Sequence, residues 1–198
     1  MMKRMLGWGG GVAWLLLGAL PLALAAEIAI YGFEGGLEGW AIPDWAKLSS
    51  DYGLKGVSVS KSVAQEGTAA LELQVEFPGG RWTGAYVERE IEVRDWTQFR
   101  HLSVSLYVPP EAPTGLKGRI ILTIVEAWQW TEMNRAVALQ PGAWTSLAVD
   151  LTPASLNWKF FLDEEFRKDV RKLGVRIESD TQPAYHGSIF VDNVCLAE

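Results

Sequence analysis

The chain has 198 residues with 48% apolar and 21% charged side chains, which sets aside disordered and collagen-like classes. A net charge of −6 argues against a nucleic-acid surface, which needs a basic face. The single cysteine, Cys195, excludes an internal disulfide and a cysteine-based zinc cage. The 10 tryptophans are roughly four times average usage for this length.

Residues 1–25 read as a secretory signal peptide. Lys3 and Arg4 supply the positive start, an apolar run follows from Val12 to Leu24, and Ala23-Leu24-Ala25 is a small-x-small cleavage site. Cleavage after Ala25 would leave 173 residues with a net charge of −8, eight tryptophans and no membrane span. The expectation is a secreted, periplasmic or cell-surface protein formed by one domain over residues 26–198.

That domain reads as an all-β jelly-roll sandwich of two antiparallel sheets with one short surface helix. Ile28–Phe33 is the first strand. In Ala69–Phe77 the residues Ala69, Leu71, Leu73, Val75 and Phe77 alternate with Glu72, Gln74 and Glu76, and Pro78-Gly79-Gly80 ends the run. Trp82–Val93 alternates next, with Tyr86, Glu88, Glu90 and Glu92 on one face. His101–Val108 follows and stops at Pro109-Pro110. Gly118–Trp128 is the most apolar run and is expected to be a central strand buried on both faces. Arg135–Leu139 and Trp144–Leu151 look like a hairpin. The helix starts at Asp163 as its cap, with Glu164 and Glu165 at its positive end and Phe166, Val170 and Leu173 at helical spacing. Leu173–Glu178 and Ser188–Leu196 close the fold.

The tryptophans fall into two sets. Trp40, Trp96 and Trp144 read as core or corner aromatics, and Trp158 as packing beneath the helix. Trp45 lies in a polar, proline-containing loop, Trp82 at a hairpin tip, and Trp128 and Trp130 where a strand runs out, on the strand face of Glu126. Tips and rims are poor places to bury indoles, so several exposed indoles need a partner. A pyranose ring suits them: its C–H face is flat and apolar, and its rim hydroxyls suit carboxylates and amides. Covering one sugar face removes roughly 50 Å² of apolar area, about 1.3 kcal/mol. Trp45, Trp82, Trp128, Trp130, Glu126 and Tyr86 are the candidate sugar-binding residues, with a polysaccharide as partner.

Three stretches carry a family resemblance: Ala70–Phe77 with Pro78-Gly79-Gly80-Arg81-Trp82, Leu106-Tyr107-Val108-Pro109 with Gly115-Leu116-Lys117-Gly118-Arg119, and Gly187-Ser188-Ile189-Phe190-Val191-Asp192-Asn193-Val194. Together they resemble the family 27 carbohydrate-binding modules, mannan-binding β-sandwiches usually attached to β-mannanases. The resemblance implies non-catalytic binding of β-1,4-linked mannose units on surface tryptophans. Trp82 matches the hairpin-tip platform, and Trp130 or else Trp128 matches the platform ending the central strand. Where the family can carry an aromatic after the residue matching Trp40, this chain has Ala41, and Trp45 is the substitute. The resemblance also implies a structural calcium, for which Glu34 and Asp192 are the carboxylates to test, with loop carbonyls around Gln65–Thr68 completing it.

Two other classes stay open. The stripe Glu88, Glu90, Glu92 places same-face carboxylates about 7 Å apart, within reach of an inverting glycosidase, so a jelly-roll hydrolase or lyase is one. An envelope or adhesion protein using the sandwich for protein contacts is the other. Neither His101 nor His186 has a nucleophile motif nearby.

Overall fold

A computed structural model describes residues 27–160, 162–180 and 184–198. The leader expected over residues 1–25 lies outside the described residues. Among the described residues, eleven strands and two one-turn helices follow in chain order: β1 (Glu27–Tyr31), α1 (Asp44–Lys47), β2 (Leu54–Ser60), β3 (Ala70–Phe77), β4 (Thr83–Glu90), β5 (His101–Val108), β6 (Lys117–Ile124), β7 (Gln129–Glu132), β8 (Val137–Ala138), β9 (Ala143–Asp150), α2 (Glu164–Arg167), β10 (Val170–Ser179) and β11 (Tyr185–Ala197). One sheet runs β2-β3-β11-β5-β9, with β1 also on β11. The other runs β4-β10-β6-β7, with β8 also on β6. Every named pairing is antiparallel. Consecutive strands β3 to β6 alternate between the sheets, so the chain crosses the core repeatedly, as in a jelly roll.

The period-2 reading explains the layers. Leu71, Leu73, Val75 and Phe77 of β3 are buried against the second sheet's Ala85, Val87, Ile120, Leu122, Leu173, Val175 and Ile177 in one core. The outward face of β4, β10, β6 and β7 then carries Gly84, Tyr86 and Glu88; Lys172, Gly174, Arg176 and Glu178; Arg119, Ile121 and Thr123; and Trp130 and Glu132. The cross-strand registers align Tyr86 with Arg176 and Arg119, and Glu88 with Gly174, Ile121 and Glu132. β6 lies between β10 and β7 and is buried on both faces from Ile120 on, as its apolar run predicts.

Several elements differ from the sequence reading. β6 stops at Ile124, and residues 125–128 form the β6–β7 turn, in which Trp128 N–H bonds the Val125 carbonyl at 3.0 Å. The residues 135–151 do not form a hairpin: β8 pairs β6 in one sheet while β9 pairs β5 in the other. The helix capped by Asp163, whose side chain accepts the Phe166 N–H at 2.9 Å, lasts one turn, and Val170 and Leu173 belong to β10. β2 is an additional edge strand, and α1 is an additional turn of helix that carries Trp45.

Candidate glycan-binding groove

The outward face of β4–β10–β6–β7 forms the floor of an open groove with a volume of about 610 Å³. Trp45, Trp82, Trp128 and Trp130 all line it. They reach it from separate elements: α1, the β3–β4 tip, the β6–β7 turn and β7. Trp45, Trp82 and Trp128 are 52%, 42% and 52% exposed, far above what a core indole shows, and Trp130 is half-buried. Trp40, Trp96 and Trp158 are buried, as their sequence settings imply. Trp96 donates to the Val93 carbonyl, and Trp158 to the Asp150 carbonyl beside Met133, closing the core. Trp144 is neither core nor corner. It lies half-buried on the outer face of the first sheet, 5.4 Å from the Tyr107 ring.

Tyr86 is a pillar. It is 4% exposed, with its ring centroid 5.2 Å from Trp45 and 5.3 Å from Trp130. Gly174, the glycine across the strand pair, makes room: a Cβ there would sit 2.3 Å from the Tyr86 hydroxyl oxygen. Burial pushes the Tyr86 phenol pKa up, and the neighbouring Glu88 carboxylate adds to this. The phenol therefore stays protonated and donates to Glu88 at 2.9 Å. Trp45 and Trp130 cross at 78° with centroids 5.9 Å apart, so these two indoles do not form a coplanar shelf. Ala41 bridges Glu88 with two backbone hydrogen bonds, which puts position 41 on the groove face. Ala41 itself is not among the groove-lining residues, whereas Trp45 lines the groove from α1.

Glu126 lies elsewhere. It is exposed in the β6–β7 turn, outside the groove lining, because the strand ends at Ile124 and the same-face alternation ends with it. The polar partners in the groove are instead Glu88, Lys172, Arg176, Asp51 and Thr123. Their charges are largely paired within the protein. Lys172 donates to Glu88 at 2.6 Å. Arg176 reaches Glu132 and Glu178, each at 2.7 Å, and Arg119 reaches Glu178 at 2.7 Å. Lys159 also pairs with Glu132. Burial alone would raise the Glu132 and Glu178 carboxyls. The Lys159, Arg176 and Arg119 cations around Glu132, and Arg119 and Arg176 around Glu178, outweigh it and hold both below the ordinary carboxylate value. This charge layer was not visible in the sequence, because it depends on which residues face one another across four strands.

Glu34 and Asp192 converge on the single loop 65–69. Glu34 accepts the Thr68 N–H at 2.7 Å, the Thr68 hydroxyl at 2.7 Å and the Ala69 N–H at 3.0 Å. These bonds, led by the Thr68 N–H, hold its carboxyl below the usual range. Asp192 is fully buried and accepts the Gln65, Glu66 and Asn193 N–H groups at 2.7, 3.2 and 2.7 Å. Among the described residues it has no cationic side-chain partner, so its charge is met by backbone dipoles alone. All four carboxylate oxygens of Glu34 and Asp192 already accept an N–H or O–H, so a calcium ion there would have to displace those donors. No group of three or more metal-ligating side chains occurs among the described residues, so carbonyl oxygens would have to supply the rest. Gly67 is required here: its φ is +63°, and a Cβ would sit 2.2 Å from Glu34 Oε1.

No family model matches the sequence, and no curated protein matches it significantly. Solved structures do match the fold. The CBM27-1 module of Caldicellulosiruptor saccharolyticus, solved in complex with mannohexaose, is 19% identical with a TM-score of 0.59, over 88% of this chain and 98% of that one. TmCBM27, described for specific mannan recognition, is 22% identical with a TM-score of 0.50, over 87% and 95%. A CBM28 module specific for non-crystalline cellulose is 13% identical with a TM-score of 0.61, over 84% and 92%. The fold is the two-sheet β-sandwich that these modules share. At these identities the likeness establishes architecture, and the groove itself must carry the chemistry. No helix among the described residues is long and apolar enough to cross a membrane.

Proposed function

We propose that this is an exported, non-catalytic carbohydrate-binding protein that takes a neutral β-1,4-linked polysaccharide, mannan-like, along the groove. The observation that carries the reading is the convergence of four indoles, each from a different element, on one open channel. Core packing also gathers side chains from separate elements, but it buries them, whereas Trp45, Trp82 and Trp128 stay 52%, 42% and 52% exposed where they meet. The partners' chemistry fits as well. Sugar C–H faces stack on the indoles, and the rim hydroxyls meet Glu88, Lys172 and Asp51. Three stacked rings supply on the order of 4 kcal/mol, and hydrogen bonds bring the total to roughly micromolar affinity.

Two features refine the class. The floor pairs its own charges, so an acidic glycan would have to displace Glu88 from Lys172, or Glu132 and Glu178 from Arg176. The crossed Trp45–Trp130 pair suits a single soluble chain over a flat crystalline face. The non-catalytic reading rests on the glutamate stripe: of Glu88, Glu90 and Glu92 only Glu88 lines the groove, where it accepts from Tyr86 and Lys172, so the stripe offers no carboxylate pair to a bound sugar. Calcium held by Glu34 and Asp192 belongs to the same proposal as a brace between the first and last strands.

Affinity electrophoresis tests the function. Gels containing mannan, glucomannan, xylan or soluble cellulose are run with the parent, Trp82→Ala and Trp130→Ala. The parent is expected to be retarded by mannan or glucomannan. Each variant is expected to bind about tenfold more weakly, the loss of one platform. A parent that runs unretarded in every gel overturns the reading.

A further inference from the structure

Two of the exposed groove indoles, Trp82 and Trp128, are each approached by cations. The Arg176 guanidinium carbon lies 5.8 Å from the Trp82 ring centroid. Arg171 and Lys172 lie 5.4 and 5.3 Å from the Trp128 centroid. These distances are within the range of cation–π attraction. Residues 171 and 172 are sequence neighbours, and on a regular strand they would point to opposite faces. They share one target because β10 carries an extra residue between Val170 and Lys172 relative to β6, a bulge that re-aims its side chains. Each cation is itself tethered: Arg176 to Glu132 and Glu178, Arg171 to Asp169 at 2.9 Å, and Lys172 to Glu88 at 2.6 Å. Trp128 also sits in left-handed backbone, φ 53°, as does Val125 at the other end of the turn. Ordinary side chains seldom adopt that conformation, and it persists where the surroundings enforce it.

We infer that Arg171, Lys172 and Arg176 are positioning residues of the groove: their cations hold one face of Trp128 and Trp82, and the opposite faces stand preordered as platforms for the glycan. This rests on the glycan-binding reading above. An exposed indole on a turn would otherwise lose side-chain freedom on binding, and prior immobilisation removes that cost. The bulge in β10 then has a function: it aims two tethered cations at one indole.

The test uses protein labelled with 5-fluorotryptophan, with the Trp128 and Trp82 resonances assigned from their loss in Trp128→Phe and Trp82→Phe. In Arg171→Gln, the Trp128 line is expected to shift and broaden without ligand. The Trp45 line is expected to stay put, and affinity for mannohexaose to fall three- to tenfold. Arg171→Lys restores most of both effects. Arg176→Gln is expected to act in the same way on Trp82, and decides the matter if Arg171→Gln does not fold. A Trp128 line unchanged in position and width in Arg171→Gln overturns the inference. So does an affinity loss with that line unmoved, which would make Arg171 a direct contact. If the parent binds neither mannohexaose nor cellohexaose, the functional reading fails, and the fluorine lines alone still decide the positioning.

Discussion

Gly174→Ala probes the pillar under the groove with the smallest possible change. The added Cβ would lie 2.3, 2.5 and 2.7 Å from Tyr86 Oη, Cε2 and Cζ. Carbon contacts settle at about 3.5–4.0 Å, so the phenol must move by roughly 1 Å. It has nowhere free to go, because Tyr86 is buried and its ring is packed against Trp45 and Trp130. Overpacking of this kind costs about 1–3 kcal/mol, and loss of the Tyr86–Glu88 hydrogen bond adds about 1 kcal/mol. The expected destabilisation is about 2–4 kcal/mol, read as a lower urea midpoint at unchanged slope. Trp45 and Trp130 are displaced with the ring, so mannohexaose affinity falls as well. Tyr86→Leu in the Gly174→Ala background should cost less than in the parent, since there it also removes the clash. A Gly174→Ala protein within about 0.5 kcal/mol of the parent, with unchanged affinity, refutes the pillar argument.

Three other outcomes follow from the same structure. Glu132 and Glu178 have carboxyls lowered in the folded state, so their stabilisation is present above the ordinary value of 4.5 and is lost as pH falls through the lower folded values. The urea midpoint should therefore drop below pH 4.5, and Glu178→Gln should be less stable at neutral pH yet lose less on acidification. A chelator should lower the melting temperature if calcium bridges Glu34 and Asp192, and an identical melting curve counts against the metal. Burial, with Glu27, Glu66 and Asp192 nearby, pushes the Cys195 thiol up to about 12. Cys195 should therefore resist a thiol reagent at pH 8.5 in the folded protein and react fully in urea.

What the sequence revealed depended on whether the signal was local. The alternation of β3, with Leu71, Leu73, Val75 and Phe77 inward, is written in consecutive residues, and the strand forms as read. The edge strand β2 reads Leu-Lys-Gly-Val-Ser-Val-Ser, too short of bulky residues to stand out. Phe166, Val170 and Leu173 have helical spacing, but Val170 and Leu173 pair with β6 in a sheet, and tertiary pairing overrides a single turn of helix. The four groove tryptophans were legible because each stands beside a turn, a proline or a strand end, where burial is difficult. Tyr86 was placed among them, but its role as a support depends on Gly174 across the strand pair, which no local pattern reveals. The bulge at Arg171 and the misplacement of Glu126 both turn on register, which is a property of paired strands.

The most direct measurement is a titration of the ¹⁵N-labelled protein with mannohexaose, following the indole N–H signals. The account predicts that the Trp45, Trp82, Trp128 and Trp130 signals move together along one saturable isotherm, while those of the core residues Trp40, Trp96 and Trp158 remain still. Movement of the core indoles with the groove set silent, or no movement of any indole with mannohexaose or cellohexaose, would contradict it.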